Sequence, residues 1–196
     1  MIVNNVYRKN QITEFWVSIP KIFNDEEIDK ICKICEESDQ ISASVINGQD
    51  FSIRKSNVSY HFLNDINSWI FENLNFAIQE LNNHFYNFDI YGYEAFQYTK
   101  YLSSENGKYE YHTDTVFGSD KPRNMENTRK LSAVILLSDP EKDFSGGEFE
   151  IFLHGKIPMQ KGQLILFPSF LAHKVNEVTS GERKSLVVWV EGPKFK

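Results

Sequence analysis

Phe88-Asp-Ile-Tyr-Gly-Tyr-Glu-Ala-Phe-Gln-Tyr-Thr-Lys-Tyr101 is the stretch at which the chain changes periodicity. Before it, apolar residues recur every three to four positions. Within and after it they alternate, as in a strand whose successive side chains point to opposite faces. Its aromatic residues suit a pleated, half-buried surface. This first strand spans 88–101, and alternation continues through 109–116, 131–138, 147–153, 163–167, 172–178 and 184–191. Asn106-Gly107, Asp139-Pro140, Ser145-Gly146-Gly147, Lys161-Gly162 and Ser180-Gly181 act as turn signals between the strands. Short strands that are not interleaved with helices predict two facing sheets, a jelly-roll or sandwich, rather than a βαβ fold.

Upstream, residues 11–23 read as an extended lead-in, after which Asn24 or Asp25 caps a helix running to about Glu37. Asp25, Glu26 and Glu27 suit its first turn, where the helix dipole favours negative charge. Residues 64–86 carry Ile66, Trp69, Ile70, Leu74, Ala77, Ile78, Leu81 and Phe85 at helical spacing, which predicts one long helix with a buried stripe. The fold expected is mainly β with N-terminal helices. It forms a single domain over 1–196, with 1–87 as mostly helical support and 88–191 as the β core.

The chain of 196 residues, 41% hydrophobic and 24% charged, is long enough to fold around one core without disulfides. Its net charge of −6 disfavours a general nucleic-acid binder, which must neutralise many phosphates. A long apolar run is lacking, so neither secretion nor membrane spanning is expected, and the location read from the sequence is cytoplasmic. Cys32 and Cys35 lie among the apolar positions Ile28, Ile31 and Ile34 of the first helix and have no second pair to complete a zinc site, so they read as core.

His112-Thr113-Asp114 lies in an extended context, where residues i and i+2 share a face, so His112 and Asp114 can converge on one ion. Alone, such a triplet is a common exposed pair. His173, starting another strand after Pro168-Ser-Phe-Leu-Ala, supplies a second imidazole. Two imidazoles and a carboxylate on one face of a metal are the ligand set of a non-heme iron(II) oxygenase and leave positions open for reactants. Arg183 follows ten residues after His173. A guanidinium there can hold the distal carboxylate of a 2-oxo dicarboxylic acid by two parallel hydrogen bonds, although alone it reads as a solvated strand-edge charge. Gly146-Gly147 marks a tight turn needing positive φ. Glu148 reads as either an acceptor behind the site or an edge carboxylate, and Trp189 as floor or core. His61, His84 and His154 have no partner at ligand spacing and read as surface or helix-packing residues.

In this order the pieces make the C-terminal half similar to the iron(II)- and 2-oxoglutarate-dependent oxygenases, in particular the prolyl 4-hydroxylase type and the related PiuC/PKHD-type hydroxylases. The resemblance spans about residues 96–191. It rests on His112-x-Asp114, Leu131-Ser-Ala-Val-Ile-Leu-Leu-Ser-Asp139 leading to Phe144-Ser-Gly-Gly-Glu148, Lys161-Gly-Gln-Leu-Ile-Leu-Phe-Pro-Ser169, His173, and Val178-Thr-Ser-Gly-Glu-Arg183 running to Trp189. Weaker similarity extends to Ile19-Pro-Lys-Ile-Phe-Asn-Asp-Glu-Glu27. The resemblance implies a double-stranded β-helix core of jelly-roll, cupin-like form.

It also implies His112, Asp114 and His173 as Fe(II) ligands and Arg183 as the residue that binds the C5 carboxylate of 2-oxoglutarate. Tyr101 matches the family tyrosine that also reaches the cosubstrate. Tyr98 is its rival, because one extra residue precedes His112; for either, an aromatic packed between the sheets is the alternative reading. A further family position for such a tyrosine holds Leu136. The implied reaction consumes 2-oxoglutarate and O2, releases succinate and CO2, and hydroxylates a peptidyl proline in a peptide or protein; ascorbate binding belongs to the same type. The alternative substrate is a free amino acid or other small molecule, and a third reading is a non-enzymatic jelly-roll binding module.

Asp114 separates the chain from the family's halogenases, in which halide takes the carboxylate's site. Trp189, six residues after Arg183, stands where nucleic-acid demethylases of the superfamily carry a second arginine. Segment 117–130, with Lys121, Arg123, Arg129 and Lys130, reads as a mobile surface loop able to fold over a peptide, or as a solvated charged loop.

Overall fold

The computed structural model describes residues 14–43, 50–115 and 127–195. In chain order its elements are β1 (Val17–Ile19), α1 (Asp25–Glu36), β2 (Ile41–Ser42), β3 (Arg54–Lys55), β4 (Asn57–Phe62), α2 (Ser68–Leu81), β5 (Ala95–Leu102) and β6 (Lys108–His112). They continue with β7 (Thr128–Leu136), β8 (Phe144–Gly146), β9 (Phe149–Ile151), β10 (Gly155–Ile157), β11 (Leu164–Pro168), β12 (His173–Val175) and β13 (Val178–Gly192). One sheet runs β1-β11-β7-β13-β5-β4-β2, with β8 paired to the first part of β13; the other runs β10-β9-β12-β6-β3. The named pairings are antiparallel, and the two sheets make a jelly-roll.

Strand alternation sorts the side chains into two cores. On β7, Leu131, Ala133 and Ile135 join Ile28, Ile31 and Cys35 of α1 and Ile70, Leu74 and Ile78 of α2, so the helices cover the outer face of the larger sheet. Val134 and Leu136 point the other way and meet Phe149, Ile151, Ile157, Phe167 and Val175 between the sheets. Burial of each such side chain is worth about 1.5–3 kcal/mol. The helices thus brace the sheet from behind and leave its inner face for the site. Helix α1 begins as expected: Asn24 accepts from the Glu27 backbone N–H, and the Glu27 carboxylate accepts from that of Asn24. Both cysteines are free, and burial raises their thiols, most of all that of Cys35.

Several boundaries differ from the sequence reading. The helix expected over 64–86 starts at Ser68, because Asn64 and Asn67 side chains bond to each other's backbone and to that of Ile66, and so hold a turn. Ile66 is consequently 70% exposed, while Phe71, absent from the expected stripe, is buried. After Leu81 the helix widens into a π-helical turn, Asn82–Tyr86. Residues 1–87 contribute β1 to β4 as well as the helices, and 88–94 are not part of β5. Ser180-Gly181 is not a turn. Gly181, at φ +69°, kinks the continuous strand β13 where a Cβ would collide with the Asp143 carbonyl, and this lets β13 pair first with β8 and then with β5 and β7. Residues 117–126 of the expected loop lie outside the described residues, whereas Thr128–Lys130 begin β7. Among the described residues no helix is long and apolar enough to cross a membrane.

Candidate metal centre

His112 ends β6 and pairs with His173 at the start of β12, which brings the two imidazoles side by side. The next registered pair is Tyr109 with Val175, so β6 carries one extra residue, and this bulge turns Tyr109 and His112 to the same inner face. Asp114 lies just beyond β6, where its N–H and that of Thr115 both donate to the Ser169 carbonyl at 2.9 and 3.0 Å. His112 Nε2 is 3.7 Å from Asp114 Oδ1 and His173 Nε2 is 3.5 Å from Asp114 Oδ2. The three ligand atoms fall within 4.8 Å of one another.

The donor set fits a cation. His112 Nδ1 is 2.8 Å from the Glu110 carbonyl and His173 Nδ1 is 2.9 Å from that of Leu171. A carbonyl only accepts, so each Nδ1 carries the proton and each Nε2 turns a lone pair inward. Burial, reinforced by neighbouring His173, pushes His112 down to about 3 and keeps it neutral. Burial alone would raise the Asp114 carboxyl, but the two histidines and the Ser132 hydroxyl, donating to Oδ2 at 2.6 Å, hold it below its ordinary value. The two Nε2 atoms and the carboxylate thus face one another across one small space, a donor set that suits a divalent metal. The rings of Phe167 and Phe149 flank His173 at 4.7 and 5.6 Å between centroids.

Arg183 lies farther along the same interior and is 1% exposed. It pairs across strands with Tyr101, whose ring centroid is 5.5 Å from the guanidinium carbon. Nη1 donates to Ser185 Oγ at 3.3 Å, and Nε is buried without a hydrogen-bond partner among the described residues. A cavity of about 300 Å³ opens there, lined by Leu136, Phe144, Phe149, Ile157, Met159 and Arg183. Phe149 is a wall common to this cavity and His173. Gly147, at φ +63°, gives the arginine room, since a Cβ would stand 3.0 Å from Arg183 Cδ.

The structure therefore joins His112, Asp114 and His173, and pairs Arg183 with Tyr101. Tyr98 is a correction: three residues from Tyr101, it faces the helices and donates to Glu36 Oε1 at 2.9 Å. Glu148 pairs with Lys156 at 2.6 Å, and both line the Arg183 cavity. Trp189 registers opposite Ser132 on the inner face, with the Arg129 guanidinium 4.2 Å over its ring. Lys130 stands 3.5 Å over the Phe195 ring, so neither Arg129 nor Lys130 is a solvated loop charge. His61 is buried against Phe96, His84 lies beside Phe85 and His154 beside Phe15. The sequence reading gave no role to Ser132 or Ser169, whose hydroxyls lie 2.8 Å apart behind Asp114. Their signal was a polar residue at inward positions of otherwise apolar runs.

Residues 96–191, which contain all of these groups, match the sequence profile of the 2OG-Fe(II) oxygenase superfamily. A PKHD-type hydroxylase of Pseudomonas fluorescens is 24% identical over 180 residues, which is 88% of this chain and 76% of the relative. A viral collagen prolyl hydroxylase from Paramecium Bursaria Chlorella virus-1, solved as a 2OG complex, superposes with a TM-score of 0.72 at 22% identity, over 92% of this chain and 97% of that one. A prolyl hydroxylase from Trichoplax adhaerens, solved with a hypoxia inducible factor peptide fragment, superposes with a TM-score of 0.72 at 16% identity, over 91% of this chain and 84% of that one. These two likenesses establish the fold, and the profile and the triad add the chemistry. The chain belongs to the 2OG-Fe(II) oxygenase superfamily and is an Fe(II)- and 2-oxoglutarate-dependent dioxygenase.

Proposed function

We propose that the chain hydroxylates a proline within a peptide or protein, and that Arg183 and Tyr101 hold the 2-oxoglutarate consumed in the reaction. The observation that carries the cosubstrate assignment is the buried Arg183 guanidinium, whose Nε has no partner and which has no ion pair with a carboxylate among the described residues. A buried charge of this kind is costly unless an anion binds it. The distal carboxylate of 2-oxoglutarate supplies that anion, and the apolar cavity walls suit the methylenes between its two acid ends. Tyr101, across the strand pair from Arg183 with its ring beside the guanidinium, is the residue from which a hydroxyl would be added.

Bound iron and 2-oxoglutarate, with O2 as the oxidant, would supply the chemistry that places one oxygen atom on a C–H bond and the other in succinate as CO2 is released. The chain's own residues do the rest. The Nδ1 bonds fix both imidazoles, the Ser132 hydroxyl donates to Asp114 and orients it, and Phe149, Phe167 and Ile157 exclude water from the interior. The proline assignment draws on the likeness to prolyl hydroxylases, one of them solved with a peptide. Ascorbate binding and a cytoplasmic location belong to the same proposal, read respectively from the effect of added ascorbate on turnover and from cell fractionation.

The test is incubation with Fe(II), 2-oxoglutarate and O2 together with a proline-containing polypeptide or free L-proline, beside a His112→Ala control. The expected result is gain of one oxygen on a peptidyl proline with matching succinate. Oxidation confined to a free metabolite overturns the peptide assignment in favour of a small-molecule substrate, and oxidation of another peptide residue overturns the proline assignment.

A further inference from the structure

Arg54 on β3 is 7% exposed, yet its hydrogen bonds among the described residues go to neutral groups. Nε donates to Ser56 Oγ and Nη2 to Gln97 Oε1, both at 2.9 Å. Its guanidinium carbon stands 4.5 Å from the centroid of the Tyr109 ring. That ring also stacks on His112, with centroids 3.5 Å apart and planes 12° from parallel. Two groups so close to one ring cannot share a face, so Tyr109 is sandwiched between the guanidinium and the imidazole of a metal ligand.

Charge pairing does not explain the arginine's place. A buried cation beside a site built for a dication is repelled by the ion it neighbours. What the residue does supply is a brace. Gln97, on the larger sheet, accepts from Arg54 and from Thr99 Oγ1 at 3.0 Å, while its Nε2 donates to the Tyr60 hydroxyl at 2.6 Å. Arg54 on the smaller sheet is thereby tied across the interior and held against Tyr109. The two ligand histidines differ in the support they receive. His173 is 5% exposed and lies against Phe167 and Phe149, whereas the His112 side chain is 15% exposed and takes its close stack from Tyr109. The bulge in β6 is what brings Tyr109 onto that face.

We propose that Arg54 and Tyr109 are positioning residues for His112: the braced guanidinium presses the Tyr109 ring against the imidazole and so fixes the direction in which Nε2 meets the metal. The proposal rests on the metal-centre reading. Loss of the stack frees the imidazole to tilt about its remaining Nδ1 hydrogen bond, which loosens the metal and alters its ligand field without removing a ligand.

Co(II) titrated into the apoprotein tests this, because its visible bands report ligand geometry as well as affinity. Melting temperatures of the same samples separate positioning from stability. Tyr109→Phe, which keeps the ring, is expected to match wild type in affinity and spectrum. Tyr109→Met is expected to bind about tenfold more weakly, at the low end of the loss usual when a residue supporting a ligand is removed, and with shifted bands. Arg54→Met is expected to weaken binding and shift the bands in the same direction, and Arg54→Lys, which keeps a cation over the ring, to recover most of the wild-type spectrum. Wild-type affinity and spectrum in both methionine variants overturn the proposal, even if both melt earlier, because the stack then serves stability alone. If Arg54→Met does not fold, the comparison of Tyr109→Met with Tyr109→Phe decides by itself. Wild type binding cobalt no better than His112→Ala overturns the metal centre, and the proposal with it.

Discussion

Gly147→Ala perturbs the cavity beside Arg183 without replacing a charged residue. The backbone there is at φ +63°, a conformation that costs an alanine about 1–2 kcal/mol. The added Cβ would meet Val178 Cγ2 at 2.9 Å, Arg183 Cδ at 3.0 Å and Phe144 Cε2 at 3.2 Å. Carbon atoms rest about 3.5–4.0 Å apart, so the Arg183 stem must retreat by roughly 0.5 Å. Misplacing a binding group by about 1 Å can cost about a hundredfold, so half that displacement corresponds to about a tenfold rise in the KM for 2-oxoglutarate. Steric and backbone strain together lower stability by about 1–3 kcal/mol, which for a chain of this length is roughly 3–10 °C in melting temperature. Succinate formation at varied 2-oxoglutarate gives the first quantity, thermal unfolding the second, and Fe(II) affinity is expected to stay at the wild-type value. A lowered melting temperature with an unchanged KM would refute the reasoning, since Arg183 would then not be the group that sets cosubstrate affinity.

Other expected outcomes follow from single contacts. Tyr101→Phe should raise the KM for 2-oxoglutarate, while Tyr98→Phe should leave it alone because Tyr98 faces the helices; equal effects would contradict the face assignment. Ser132→Ala removes the hydroxyl that donates to Asp114 and should weaken Fe(II) binding about tenfold in an anaerobic titration, with unaltered affinity as the contrary result. The Glu36 carboxyl is raised by burial but lowered further by Lys184 and Tyr98, and so sits below its ordinary value. A depressed carboxyl stabilises the fold above its unfolded pKa, and that stability is lost as pH falls through the folded value. The gap in melting temperature between wild type and Glu36→Gln should therefore close on acidification below about pH 4. It should also be small, since the Glu36 side chain is 40% exposed and solvent screens the pair. A gap that widens on acidification would reverse the sign.

Alternation made most of the β core legible. Leu131, Ala133 and Ile135 against Val134 and Leu136 divide the two faces of β7 as a period of two requires. The triad was legible because a His-x-Asp pair and a later histidine are separable from their apolar neighbours. What escaped depended on partners distant in sequence. β4 hides its pattern because Ser59 and His61, polar by type, are buried facing the helices, where Ser59 Oγ bonds to Gln40 and His61 at 2.9 and 2.8 Å. The start of α2 escaped because asparagine side chains compete with the helix over residues 64–67. Arg54, beside Lys55, looked like any surface charge, and its burial depends on Gln97 reaching it from another sheet. The choice between Tyr98 and Tyr101 was open in the sequence only because the inserted residue obscured the strand's register. The parity of β5, with Phe96 facing the helices, puts Tyr98 on the helix side and Tyr101 on the inner face.

Anaerobic Fe(II) titration of the apoprotein with and without 2-oxoglutarate, for wild type, His112→Ala and His173→Ala, bears most directly on the site. Wild type is expected to bind one Fe(II) per chain and to develop a metal-to-ligand absorption band when 2-oxoglutarate is added, whereas both variants lose the ion and the band. Equal Fe(II) affinity in all three proteins, or the same band in all three, would contradict the assignment of the centre to His112, Asp114 and His173.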